Sequence, residues 1–246
     1  MTRPATAEAA RGAARDRVAT TAVAMVESGM TLGLGTGDTA RRFVEALARR
    51  VGEESLDVVC VVTSNATDVL ARARGLIVRP LAEVARVDLA FDGADQIDPR
   101  LDLLKGGGGA QTRERIVAAS ATRFIVLADV GKLVHVLGVD FPIALEIVPE
   151  AIRLVARRLE ALGATAALRQ APAGGGAFIT DLGNHIVDAR FPRIDHASAL
   201  AAALDAIPGV VGHGLFVDLT TLALVGELDS PGVRRLARAP RQGDTS

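Results

Sequence analysis

Short, continuously apolar runs alternate in this chain with segments of helical period, and that alternation leaves few ways to fold. Val58–Val62 is apolar throughout, and Thr31-Leu32-Gly33-Leu34-Gly35, Val87–Phe91 and Arg123–Asp129 are mostly so. Such runs fit strands buried on both faces, as in a parallel sheet, better than strands with one wet face. Between them apolar side chains recur every three or four residues. Val18, Ala22, Met25 and Val26 mark a helix over Ala13–Ser28, with Gly29 placed to stop it. Phe43, Val44, Leu47 and Val51 mark a second helix after the turn Thr36-Gly37-Asp38-Thr39, and a third is expected near 66–74. The pattern predicts an α/β fold with a doubly wound, Rossmann-like domain.

From about Phe141 the pattern changes. Strands are expected at 143–148, 165–170, 177–180 and 185–190, with an amphipathic helix carrying Ile152, Val155, Ala156 and Leu159 and another over Ala197–Ala206. This β-α-β-β-α order predicts a second, smaller α+β domain of ferredoxin-like kind. The expected division is 1–140 plus 209–246 for the Rossmann-like catalytic domain and 141–208 for the small one. Leu219–Val225 is expected to return to the large domain, residues 1–10 to fray, and 233–246 to form a solvated helix turn and tail.

With 246 residues, nearly half of them apolar, the chain has enough material for a large core. A formal net charge of -1 gives no basic field, so neither nucleic acid nor an anionic membrane is an expected partner. The single cysteine, Cys60, sits inside an apolar run and reads as a buried, inert thiol. The N-terminus lacks an apolar core of signal-peptide length, and no stretch is apolar for the length of a membrane span. The expectation is a soluble, cytoplasmic protein. His135, His185, His196 and His213 lack metal-site spacing and read as surface or loop residues, so no metal is expected. There is no P-loop, no full dinucleotide fingerprint and no nucleophile elbow.

The candidate chemistry lies between Val87 and Glu114. In an open α/β sheet, ligands bind outside the carboxyl ends of the strands. The run Val87–Phe91 delivers Asp92-Gly93-Ala94-Asp95 there, and Lys105, Gly106–Gly109 and Thr112-Arg113-Glu114 follow. Two acids, a lysine beside flexible backbone and a glutamate opening the next helix make an acid/base constellation. The Thr36–Thr39 turn offers a second element, because a helix N-terminus presents unpaired N–H groups and a partial positive charge to an anion.

These blocks, with their spacing, resemble the signature of ribose-5-phosphate isomerase type A over roughly residues 13–228. The resemblance implies an aldose–ketose isomerase that interconverts ribose 5-phosphate and ribulose 5-phosphate through an enediol, with neither metal nor organic cofactor. It implies Glu114 as the base at carbon, Asp92 in ring opening and oxygen proton transfer, Lys105 at the enediolate, and Asp95 in positioning. Gly93, Ala94, Gly106, Gly107, Gly108 and Lys132 would contact the sugar, and Thr36, Gly37, Asp38 and Thr39 its phosphate, with Arg15 standing where the family carries a lysine. A homodimer or homotetramer is implied, with a small sugar phosphate as partner. Three departures mark this chain: Asp38 replaces a serine of the phosphate loop, Gln96 an acid, and Gln111 an apolar residue. Asp38, a good helix N-cap, would repel a phosphate unless it turns away. Alternatives are an isomerase of another aldose or aldose phosphate and a non-catalytic sugar-phosphate-binding domain.

Overall fold

The computed structural model describes residues 4–238. The first half alternates as α1 (Pro4–Val23), β1 (Thr31–Leu34), α2 (Asp38–Glu54), β2 (Val59–Val62), α3 (Asn65–Ala73), β3 (Ile77–Val78), β4 (Val87–Asp92), β5 (Gln96–Ile97), β6 (Leu103–Leu104), α4 (Gln111–Ser120) and β7 (Ala121–Asp129). There follow β8 (Ile143–Ile147), α5 (Ile152–Ala161), β9 (Thr165–Leu168), β10 (His185–Arg190), α6 (Ala197–Asp205), β11 (Val210–His213), β12 (Leu215–Phe216), β13 (Thr220–Gly226) and β14 (Val233–Ala237). Among the described residues no helix is long and apolar enough to cross a membrane.

A mixed α/β architecture results, around a seven-stranded sheet of order β14-β13-β7-β4-β1-β2-β3. Its pairings are parallel except β13 with β14. The strand order reverses at β1, which lies between β2 and β4, and a crevice opens at such a reversal. Leu34 is in register with both Val62 and Phe91, so the chain leaves β1, β2 and β4 at one common edge.

Both faces of the sheet are covered, which explains the continuous apolar runs. On β4, Leu89 and Phe91 join the core shared with α1 and α2, whereas Val87 and Ala90 join the one with Val117 of α4 and Phe216. Phe91 stacks on Phe43 of α2 with ring centroids 4.3 Å apart, and burying each such side chain contributes roughly 1.5–3 kcal/mol. Ser64 caps α3 by accepting from the Thr67 N–H at 3.1 Å.

A second sheet, antiparallel throughout, has order β11-β8-β10-β9 and its own core of Leu145, Ile147, Val155, Leu159, Val187 and Leu204. A ribbon of β12, β6 and β5 joins the two bodies. Successive residues of a strand face opposite ways: Leu103 and Phe216 enter the core under the parallel sheet, and Leu104 and Leu215 enter that of the small sheet. Lys105 follows at once, at the seam.

Several expectations are corrected. α1 begins at Pro4, so 4–10 are helical rather than frayed, and it ends at Val23, before the turns that lead to Gly29. Residues 177–180 form only the isolated bridges Gln170–Ala177 and Ile179–His185. Their side chains are engaged elsewhere: Phe178 packs on Gly109, and the Thr180 hydroxyl donates to buried Glu146 at 2.6 Å. Val233–Ala237 is an edge strand, not a helix turn; the rest of the expected tail, 239–246, lies outside the described residues. β11 carries the small sheet past residue 208 to His213. His213 itself is fully buried, with Nε2 3.0 Å from Arg115 Nη1 and 3.2 Å from Asp205 Oδ1, and burial lowers its pKa. Cys60 is buried, and burial alone pushes its thiol up to about 12.

Candidate active site

A cleft of about 200 Å³ opens at the carboxyl edge of the parallel sheet. It is lined by Arg15, Thr36, Gly37, Asp38, Thr39, Gly93, Ala94, Asp95, Lys105, Gly106, Gly107, Gly108, Glu114 and Lys132. Asp92 lies just beneath, at the last position of β4. The residues singled out in the sequence therefore lie together, although they come from α1, the starts of α2 and α4, and the loops after β4, β6 and β7.

The floor is a buried charge cluster. Asp92, Lys105 and Glu114 are 2%, 3% and 6% exposed. The Lys105 ammonium lies 3.1 Å from Asp92 Oδ2 and 3.2 Å from Glu114 Oε2, and it donates to the Gly93 carbonyl at 2.6 Å. The Phe216 ring lies 5.6 Å from it. Asp92 Oδ1 accepts the N–H groups of Thr36 at 3.0 Å and Gly93 at 2.7 Å. Gly35 is required at this seam, because a Cβ there would overlap the Asp92 carboxyl.

Two carboxyl groups share one ammonium, so they titrate as a pair. Burial raises the pKa of Asp92, against the pull of Lys105 and the two N–H donors. Burial, then the charge of Asp92, push Glu114 up to about 8, with Lys105 opposing. Asp92 has the two extra donors and is the better anion, so the shared proton resides on Glu114. Burial disfavours the charge on Lys105, but Asp92 and Glu114 outweigh it and hold the ammonium above its usual value. Asp95 stands one turn further on and accepts the Gly107 N–H at 2.9 Å.

The other end of the cleft is built for an anion. Gly37 precedes α2 with φ 103°, a conformation that favours glycine, and no side chain caps the helix. The first intrahelical bond runs from Arg41 N to Gly37 O, which leaves the N–H groups of 38–40 without helical acceptors. Asp38 is thus the first helical residue and not the N-cap. Its carboxylate turns to Arg15, Arg41 and Arg42 at 3.1, 2.8 and 3.0 Å. Burial works the other way, but these three guanidinium groups bring Asp38 down to about 2. Arg15 is also held by buried Asp129 at 3.1 Å, and Asp129 caps the turn Val130–Lys132 that presents Lys132.

The Thr36 hydroxyl faces inward and bonds Thr63 and Ser64, each at 2.8 Å. Thr63 and Ser64 thus buttress the turn from below. Sequence reasoning missed Asp129 as the anchor of Arg15, Arg41 and Arg42 as the partners of Asp38, and Arg169, which reaches the glycine loop from the small sheet. Asp129 ends a strand that was legible, so its place could have been found, as could Arg41 and Arg42, which stand at i+3 and i+4 from Asp38 on one helix; Arg169 carries no local signal.

Comparison with known proteins points to one family. Residues 59–230 match the family model described as ribose 5-phosphate isomerase A (phosphoriboisomerase A). The chain is 48% identical over 228 residues to ribose-5-phosphate isomerase A of Roseiflexus sp. (strain RS-1), covering 90% of this chain and 97% of the relative. It is 43% identical over 222 residues to that of Thermococcus kodakarensis, covering 90% and 96%. Among solved structures, ribose 5-phosphate isomerase A of Methanocaldococcus jannaschii superposes with a TM-score of 0.87 at 42% identity, covering 91% of this chain and 98% of that one. A ribose-5-phosphate isomerase in complex with phospho-erythronic acid superposes with 0.88 at 37% identity, covering 92% and 98%.

Proposed function

The chain belongs to the ribose 5-phosphate isomerase A family, and from that premise we propose how its residues divide the work of interconverting ribose 5-phosphate and ribulose 5-phosphate. The observation that carries this division is the buried Lys105 ammonium between Asp92 and Glu114, at the floor of a cleft whose far end is an uncapped helix N-terminus beside Arg15.

Isomerisation moves a proton from one to the other of the two carbons that form the enediol, while an oxyanion develops on an oxygen attached to them. Glu114 is the base at carbon. A carboxylate raised to about 8 is a stronger base than an exposed one, matched to a weak carbon acid near neutral pH. Lys105 stays protonated and stabilises the enediolate oxygen, which gains charge only in the transition state. Asp92 moves the oxygen-bound proton during ring opening, and Asp95 aligns the substrate with the glycine loop. The phosphate sits on the N–H groups of 38–40 with Arg15 and Lys132. Arg15 stays clamped by Asp129, so Asp38 is neutralised in place and does not confront the phosphate as a free charge.

The proposal extends to the whole chain. The seven-stranded sheet and its helices form a Rossmann-like catalytic unit, and the four-stranded sheet a ferredoxin-like one running from about residue 141 to His213, past the expected limit at 208. The family resemblance favours a cytoplasmic homodimer or homotetramer.

The test is isomerisation of ribose 5-phosphate by the purified protein beside unphosphorylated ribose and arabinose 5-phosphate. Fast turnover of ribose 5-phosphate alone is expected. No turnover of it, or preference for ribose without phosphate, would overturn the proposal.

A further inference from the structure

The glycine loop 106–109 is held from outside the parallel sheet. Arg169, just beyond β9, donates through Nη1 to the carbonyl of Gly106 at 2.8 Å and to that of Gly107 at 3.3 Å. Its other edge pairs with Asp188 of β10: Nε lies 2.9 Å from Oδ2, and Nη2 donates to Oδ1. The guanidinium also lies over the ring of Phe178, which packs on Gly109, and its side chain is 15% exposed.

A trans peptide is planar, with C=O and N–H pointing in opposite directions, so holding one fixes the other. The Gly106–Gly107 unit is gripped at both ends, its oxygen by Arg169 and its N–H by Asp95 at 2.9 Å. In the Gly107–Gly108 unit Arg169 holds the oxygen, and the N–H of Gly108 therefore points away from the guanidinium. Among the described residues that N–H has no internal acceptor, and Gly108 lines the cleft. A cation on the carbonyl side also polarises both units and strengthens the N–H as a donor. Within the loop the Gly109 N–H also donates to the Gly106 carbonyl at 3.1 Å; among the described residues Arg169 alone anchors the Gly107–Gly108 unit by a hydrogen bond, and glycine itself imposes little conformational preference.

We propose that Arg169, braced by Asp188, is a positioning residue of the isomerase: it orients the Gly107–Gly108 peptide so that the Gly108 N–H meets the oxygen that becomes anionic in the enediolate. The inference rests on the isomerase reading above. Arg169 does not line the cleft, so its loss should lower turnover and leave phosphate recognition alone. One oxyanion donor is worth roughly 10²–10³ in kcat when removed; a donor that is misdirected rather than deleted should cost about 30-fold or more.

The experiment compares wild type, Arg169→Ala and Arg169→Lys. The measurements are kcat and KM for ribose 5-phosphate, inhibition by phospho-erythronic acid, whose carboxylate stands in for the enediolate, and inhibition by inorganic phosphate. Arg169→Ala should lower kcat about 30-fold or more, with KM within about threefold, and should weaken phospho-erythronic acid about tenfold while inorganic phosphate holds. Added guanidinium ion should restore part of kcat. Arg169→Lys, with one compact donor, keeps the hairpin charged and should fall between; it carries the test if Arg169→Ala does not fold. A folded variant with kcat within about threefold of wild type, or one that loses both inhibitors equally, overturns the proposal. An inactive wild type would instead overturn the isomerase reading.

Discussion

Replacing Glu114 with Gln separates the stability of the buried cluster from its chemistry. Glu114 has an ordinary value of 4.5 in the unfolded chain and about 8 in the folded one. A raised carboxyl pKa means that the folded state binds more protons, so this group lowers stability increasingly as pH rises from 4.5 to about 8 and levels off above that. At about 1.36 kcal/mol per pKa unit, its penalty grows by about 3 kcal/mol between about pH 5.5 and pH 9. Asp92, also raised, adds in the same direction. Lys105 is raised as well, but its contribution stays constant until pH passes its ordinary value of 10.5. Gln has the shape of Glu, cannot ionise, and leaves Lys105 one-to-one with Asp92. Glu114→Gln should therefore gain on wild type as pH rises, by about 3 kcal/mol over that interval, and be the more stable protein at alkaline pH. Urea unfolding at both pH values, with matched m-values, measures this. A stability difference that does not change with pH would refute the placement of the shared proton on Glu114. The same variant should bind ribose 5-phosphate and lose turnover by orders of magnitude.

Because Glu114 must be ionised to act as a base, kcat/KM of wild type should rise with pH to a plateau above about 8, and a limb near 4.5 would place Glu114 in a solvated setting. Asp38→Ser should lower KM for ribose 5-phosphate severalfold at low salt, an effect that added salt erodes; because the Asp38 ion pairs are part-exposed, thermal unfolding should register a change under about 1 kcal/mol. A raised KM would mean that Asp38 positions Arg15. Gly35→Ala should abolish activity by displacing Asp92 from between Thr36 and Gly93, as circular dichroism and an isomerase assay on the same sample would reveal; full activity would show that the β1 turn yields easily.

Much of this was legible because it is local. The strand runs of β1, β2, β4 and β7 are mostly apolar on both faces because α1 and α2 cover one face of their sheet and α4 the other, a condition that writes itself into consecutive residues. Asp92, Lys105 and Glu114 were found because strand ends and helix starts are where an α/β sheet exposes side chains to a ligand. The segment 177–180 was misread because Phe178 and Thr180 are β-prone residue types, yet they serve Gly109 and Glu146 from across the fold. His213 gave no hint of burial, since its partner Arg115 is distant in sequence.

By itself the sequence determined the parallel sheet, the edge at which ligands meet it, and the residue types able to act there, because each depends on spacing along one stretch of chain. Only the tertiary structure decided their charge states and aim. Glu114 acquires a raised pKa because burial and the nearby charge of Asp92 outweigh Lys105; Asp38 is neutralised because α1 brings Arg15 to it; and the glycine loop is held because Arg169 reaches it from another sheet. Electrostatic energy depends on distance and solvent exclusion, and neither is written in sequence separation.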